Sequence, residues 1–463
     1  MVIGVSCKPK HTDAKNIKRT EPELNVPGPS PEASKSSDAR LDWCMEVTSD
    51  GYNKAGSRNP KWDGAAREAL QRFAQVRAYG PDIEGFAHLL RYHVSRAIEL
   101  GCDDPLIKYL QVRFVTDMSR LSKEQIADLY TGASDQLESS GYADNVKFYA
   151  AARADGALKA LKPFPNDRAR MYEERASDHL NACLKDKRMP VAEMDAAGFA
   201  YLEVIKHWSD EKERFDKMHE LLMKNWPKQG VTYLLEGQFY VDYAWKGRST
   251  KYAKDVTQEQ WKLFFERLEV AEKLLTKGME IDPKEGRLPA LMIKVASGQQ
   301  KGFSEMRKWF EKAMEVDPNN YTACDNLLYF LLPRWFGSRQ AMIEFGRECA
   351  SSEKWGGTVP LILADAHDTY NRFDGAPDGS YWKGKDVWPD IKTSFEKFFG
   401  RNPKAVSWRH NYARYAYWCE QWDTLNEQLD LMGDNINYEY FGGLDAFDKM
   451  VQLSRAHRRS AAK

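Results

Sequence analysis

An all-α fold of paired antiparallel helices is what three features of this 463-residue chain predict. Asp282-Pro283 and Asp317-Pro318 stand 35 residues apart, and each closes an amphipathic stretch of similar make-up, LEVAEKLLTKGMEIDP and MRKWFEKAMEVDPNN. After residue 40, apolar residues recur at three- and four-residue steps, the spacing that lays one buried stripe along a helix. No segment shows a convincing strand alternation, although Gly230 to Tyr243, which contains VTYLLEGQFYVDY, reads either way.

Residues 1–40 are a different material. They hold five prolines and no aromatic ring, with Lys, Glu and Ser making up much of the rest. Such a segment buries too little apolar surface to offset chain entropy, so it reads as a disordered tether. Met1 to Ser6 followed by Cys7 is similar to the end of a bacterial lipoprotein signal, but the apolar stretch is too short for a secretory signal as it stands.

Residues 41–162 read as an amino-terminal helical array. Phe86, Leu89, Leu90, Val94, Ala97 and Ile98 form one stripe, and Ile126, Leu129, Tyr130, Ala133 and Leu137 another. Ser122 with Gln125, and later Thr257 with Gln260, match the capping box that satisfies two otherwise unpaired backbone donors at a helix start. Gly80-Pro81, Gly101 before Asp103-Asp104-Pro105, Pro163-Phe164-Pro165 and Pro227 mark the stops. Pro163 opens the second part, 163–463, which reads as helical repeats closed by a carboxy-terminal capping helix. The expected total is roughly eight or nine helix pairs in one stacked array.

Within that part, Pro318 is preceded by Ala313 and Phe310, and Pro283 by Gly278 and Leu275, the same small and large alternation. FEKFFGRNP, ending at Pro403, is a weaker third copy, and Tyr412, Ala413 and Ala416 follow it. This pattern resembles the tetratricopeptide repeat, whose period is about 34 residues and whose second helix ends in an apolar-acidic-proline sequence. The resemblance covers roughly residues 230 to 432. It departs from the family in the unbroken helix that starts near Thr257 and in the segment from Gly356 to Asp386, which fits no repeat. What it implies is architecture, a right-handed α-α superhelix, and a surface for protein or peptide partners, because this fold presents many unrelated ones.

Charge excludes some functions. Lys plus Arg and Asp plus Glu number 68 each, so the whole chain has no bias toward phosphate backbones, and nucleic acid is not expected as a partner. No run reaches the ~20 apolar residues of a transmembrane helix. Seven cysteines, odd in number and far apart, form no CxxC pair or zinc spacing. They read as buried thiols and place the protein in the cytoplasm, with a lipid-anchored periplasmic or cell-surface location as the alternative if the start is truncated ahead of Cys7.

Catalytic motifs are missing: there is no HExxH, glycine-rich phosphate loop, G-x-S-x-G turn or Rossmann fingerprint. No catalytic residue, metal ligand or cofactor is assigned, and the chain is not expected to be an enzyme. The densest set of acids, Asp365, Asp368, Asp374 and Asp378 around His367, misses the calcium-loop spacing and reads as a solvated loop.

Aromatic residues supply the candidate binding positions. Trp408, Tyr412, Tyr415 and Trp418 fall at steps of three or four and share one helix face. Trp and Tyr rings pack between repeats or give a groove large contact area at little entropic cost. Arg334 and Trp335 lie in the turn PRWFG between two helices, a plausible anchor for a partner. The sequence thus points to a non-catalytic scaffold that binds a protein or peptide on a concave surface. A carbohydrate-active α/α toroid and a purely structural spacer are the alternatives, and the oligomeric state is left open.

Overall fold

The computed structural model describes residues 39–80, 86–164, 166–249, 255–375, 378–403, 405–433 and 436–461. The tether expected over 1–40 falls almost wholly outside them. The described residues form twenty helices and no strand. The first five are α1 (39–55, with a wider π turn at Glu46–Asp50), α2 (Asp63–Tyr79), α3 (Phe86–Glu99), α4 (Pro105–Leu110, running into a π turn at Gln111–Val115) and α5 (Lys123–Glu138). Then come α6 (Asp144–Lys159), α7 (Asn166–Lys185), α8 (Val191–Ile205), α9 (Glu211–Asn225) and α10 (Gly230–Arg248). The central group is α11 (Gln258–Ile281), α12 (Arg287–Gly298), α13 (Phe303–Val316), α14 (Tyr321–Phe330) and α15 (Arg339–Ser351). The chain closes with α16 (Ile362–Asp374), α17 (Val387–Arg401), α18 (Val406–Trp418), α19 (Trp422–Met432) and α20 (Leu444–Ala461).

Local chemistry starts these helices where the sequence places their signals. Ser122 and Gln125 form the capping box of α5, and Thr257 and Gln260 that of α11. Buried Asp104 caps α4 by accepting from the Leu106 and Ile107 amides, with Pro105 in the first turn, where no donor is needed. Asn320 caps α14 and also donates to the Gly286 carbonyl at 2.9 Å, which ties that cap to the start of α12.

From α6 onward the helices alternate between two rows. The inner row, α6, α8, α10, α12, α14 and α16, packs each helix on the next in the row, while α7 meets α9 and α15 meets α17 in the outer row. Among the described residues no substantial helix contact joins the first five helices to the last four. Each pair therefore covers its apolar side with its neighbours in series, and the solenoid stays open. The core follows suit. One apolar cluster runs from Trp43 to Val295, straight through the Lys162-Pro163 turn, and overlaps a second from Ala290 to Ala366 and a third from Leu361 to Cys419.

Helix spacing explains the small residues of the repeat. Leu275, Gly278, Phe310 and Ala313 are all fully buried. A Cβ on Gly278 would lie 2.9 Å from both Leu288 Cδ2 and Tyr233 Cβ, and one on Gly346 would lie 2.8 Å from the Leu363 backbone. At both places glycine lets one helix approach another more closely than any side chain allows.

Two readings from sequence change. Gly230 to Tyr243 is the first three-quarters of a helix, α10, whose side chains are buried on several faces so that no stripe stands out. The segment from Gly356 to Asp386 does contain a repeat unit, since α16 takes the inner-row place next to α14 and pairs with α15.

One buried ion network fastens the amino-terminal end. Glu193 on α8 is fully buried and accepts from Arg77 of α2, from Asn145 (3.0 Å) and Tyr149 (3.0 Å) of α6, and from Arg40 of α1 (3.3 Å). Burial acts to raise the Glu193 carboxyl, but Arg77, Asn145, Arg40 and Tyr149 together hold it below its ordinary value.

Candidate functional site

The inner row presents one continuous lane of charged side chains. On α14, Ala323, Cys324, Leu327 and Leu328 pack inward, which turns Asp325 and Tyr329, four residues apart, toward solvent. By the same geometry α10 presents Asp242, α12 presents Lys294, and α16 presents Asp365, Asp368 and Arg372. These groups lie within electrostatic reach of one another from helix to helix. Lys294 acts on Asp242 and Asp325, and Arg372 acts on Asp325 and Asp365.

Four aspartates face Lys294 and Arg372 in this lane, with Glu203 and Lys206 also acting on Asp242, and the flanking helices restrict water around them. Both Asp242 and Asp325 reach solvent, but the helices packed around them thin their hydration, and this desolvation raises both carboxyls above their ordinary range. Asp365 is the most enclosed. Burial raises it to about 7 against the hydrogen bond from the Tyr321 hydroxyl (2.9 Å), with Asp325 and Asp368 adding repulsion. Asp368 pairs with Arg372 one turn along.

A chain of aromatic rings flanks the lane. Centroid separations of 5.6 to 6.2 Å, with one of 4.9 Å, link Phe265, Trp261, Phe264, Trp245, Trp335, Tyr329 and Phe373 in that order. Phe265, Tyr329 and Phe373 are exposed. The rings come from α10, α11, α14, α16 and the turn after α14. Lane and rings adjoin on α14, where Asp325 and Tyr329 share a face.

Arg334 and Trp335 belong to this edge. Trp335 packs against Trp245, Tyr329 and Phe330, and the Arg334 guanidinium lies 4.4 Å from the Phe373 ring centre. The other four residues singled out in the sequence gather elsewhere, in the cluster shared by α17, α18 and the turn Ser380–Lys383. Tyr412 stacks on Phe395 at 4.7 Å, Trp408 meets Phe398 at 5.7 Å, and Tyr415 and Trp418 pack on Trp382 at 5.3 and 5.0 Å. Tyr412 and Tyr415 are buried, while Trp408 and Trp418 are half-buried. Burial first, then Asp368 and Asp365, raise the Tyr415 phenol well above its ordinary range, which puts this ring at the end of the lane.

The aspartate-rich segment is helix through Asp374 rather than the loop read from sequence. His367 and Asp365 face opposite ways. His367 is fully buried between the Tyr381 hydroxyl (2.8 Å) and Asp390 of α17 (3.1 Å), whereas Asp365 turns to Tyr321 of α14. Asp378 is exposed and accepts from the Ser380 amide at 2.9 Å. Among the described residues no three His, Cys, Asp or Glu side chains are gathered to hold a metal ion.

At its amino-terminal end the inner face hollows into a cleft of roughly 960 Å³ between α2, the π turn after α4, α5, α6 and α8. Sequence reasoning missed both cleft and lane. The lane residues are scattered from 242 to 372, and only a repeat register laid over the inner helices would have aligned them.

Residues 269–355, from within α11 to just past α15, are similar to a family described as a domain of unknown function (DUF4034). That stretch holds Lys294, Asp325, Tyr329, Arg334 and Trp335. No curated protein matches the chain.

Proposed function

We propose that this protein is a non-catalytic scaffold of the tetratricopeptide-like kind, which binds an extended segment of a protein partner along its inner face. The reading rests on one observation: Asp242, Asp325, Asp365 and Asp368 run beside exposed rings and outnumber Lys294 and Arg372, the cations set among them, while Glu203 and Lys206 act on Asp242 with opposite sign. That surface favours a segment that carries Lys or Arg together with an aromatic or aliphatic residue. Each charge-assisted hydrogen bond holds the chain, and each apolar side chain covers a ring. The open array gives no support to a closed toroid with facing acids at its mouth. No helix among the described residues is long and apolar enough to cross a membrane. The six described cysteines are free and buried, and this favours a reducing compartment, the cytoplasm.

Fluorescence anisotropy with two labelled twelve-residue peptides of equal phenylalanine content tests the proposal. One peptide carries lysines and the other glutamates at the same positions. Saturable binding of the lysine peptide alone, weakened about tenfold by raising salt from 50 to 300 mM, is expected. Equal binding of both peptides, or of neither, would refute it.

A further inference from the structure

The amino-terminal cleft lies apart from the aspartate lane and has a chemistry of its own. Its volume of roughly 960 Å³ falls in the range of small-molecule sites, about 300–1,000 Å³. Its floor is built from small residues, Ala152 and Gly156 on α6 and Ala196 and Ala200 on α8, each pair four apart on one helix face. A Cβ on Gly156 would meet nothing within 4 Å, so packing does not require the glycine, and the missing side chain leaves the hollow open. Ile126 and Phe114 add apolar wall.

Five cationic side chains line the cleft, and three of them are already engaged. Arg40 and Arg77 bind Glu193, and Lys159 binds Asp155 and the Val204 carbonyl. Arg113 and Arg153 have no carboxylate partner among the described residues. Arg113 is held by its stacking 4.7 Å over Phe114 and 5.8 Å over Phe73, and Arg153 is exposed on α6. Of the two acids on the wall, Glu203 is taken by Lys206. Asp155 is 1% exposed and keeps one carboxyl oxygen, Oδ1, without a hydrogen-bond partner among the described residues. That oxygen can only accept, so it takes no part in holding an anion and leaves Arg113 and Arg153 as the groups that would.

We infer that this cleft binds a small organic anion with an apolar body, its charge on Arg113 and Arg153 and its body over the alanine and glycine floor. The inference is independent of what the lane binds. Two guanidinium groups select a carboxylate-sized anion through charge-assisted hydrogen bonds, and the floor supplies contact area without competing polar groups.

Calorimetric titration of the full chain at pH 7.5 with 4-phenylbutyrate and with 4-phenylbutanol separates charge from shape. The carboxylate is expected to bind saturably at one site and at least tenfold more tightly than the alcohol. Arg113→Gln with Arg153→Gln brings the carboxylate down to the alcohol's affinity, and Ala200→Phe, which fills the floor, removes both. Arg153→Gln alone, on an exposed side chain with no ion pair among the described residues, guards against loss of fold and still weakens the carboxylate severalfold. Absence of saturable heat from the wild-type chain, equal affinity for the two probes, or carboxylate binding untouched by Ala200→Phe or by Arg153→Gln would overturn the inference.

Discussion

The two ends of the inner face are built the same way and offer opposite chemistry. At the cleft, α6 and α8 turn alanine and glycine inward, with arginines on the rim. Along the lane, α10, α14 and α16 turn aspartates inward, with aromatic rings at the edge. Both regions use inner helices packed on their row neighbours, so the backbone does not set the difference. What a stretch of this face accepts is decided by the few inner-helix positions that stacking leaves free.

The two ends part most severely when what holds one of them together is removed. Glu193→Ala leaves Arg77 buried without its carboxylate, and it is expected to cost about 3–5 kcal/mol. Because stability in a stacked array is local, hydrogen exchange should speed up in α2, α6 and α8 and stay unchanged in α14 and α16. Uniform loosening of the whole chain would contradict the serial picture. Gly346→Ala is the counterpart at the other end. With the Leu363 backbone 2.8 Å from the new Cβ, α15 and α16 must separate, at a cost of about 1–3 kcal/mol read from urea unfolding. Exchange should then rise in those helices and not around the cleft.

Charge changes sharpen the contrast. Asp325→Asn with Asp365→Asn should weaken the lysine peptide about tenfold while leaving 4-phenylbutyrate binding at the cleft as it was. pH gives a finer test. Asp365 titrates at about 7 in the folded chain, so raising the pH from 6 to 8 ionises it and should tighten the lysine peptide severalfold. Asp365→Asn should flatten that dependence.

Stability moves the other way. A carboxyl raised on folding keeps its proton longer in the native state than in the unfolded chain, so its contribution falls between about pH 4 and pH 7. Asp365→Asn keeps an acceptor for Tyr321, and should therefore stabilise by about 1 kcal/mol at pH 8 and change little at pH 4. The smallest expected effect is that of Arg153→Gln on melting, within about 0.5 kcal/mol, as for other exposed side chains.

Much of this architecture was legible because it is local. Ser122 and Thr257 announce their helices through side-chain caps, and Pro283 and Pro318 end theirs, so a short window holds the whole signal. Helix α10 was not legible, because an inner helix buried on several faces loses the 3.6-residue contrast that identifies it. The aspartates of α16 looked like a loop since acidic residues beside glycine are common in turns. Only the packing of Ile362, Leu363 and Ala366 shows that they sit on the wet side of a helix. At Trp408, Tyr412, Tyr415 and Trp418 the shared face could be read from spacing, but its partners, Phe395 and Trp382, come from elsewhere in the chain. Arg334 and Trp335 were visible as a turn between Pro333 and Gly337, whereas their neighbours Trp245 and Phe373 are remote in sequence. The cleft gave no signal at all, because alanine in a helix is unremarkable until the space above it is seen.

An unbiased selection of random twelve-residue peptides on the full chain tests the central claim most directly, with the Asp325→Asn, Asp365→Asn variant as its control. The wild-type chain is expected to enrich sequences rich in Lys or Arg with an accompanying aromatic residue, and the variant to lose that enrichment. Enrichment of acidic sequences, the same enrichment on the variant, or none on either would contradict it.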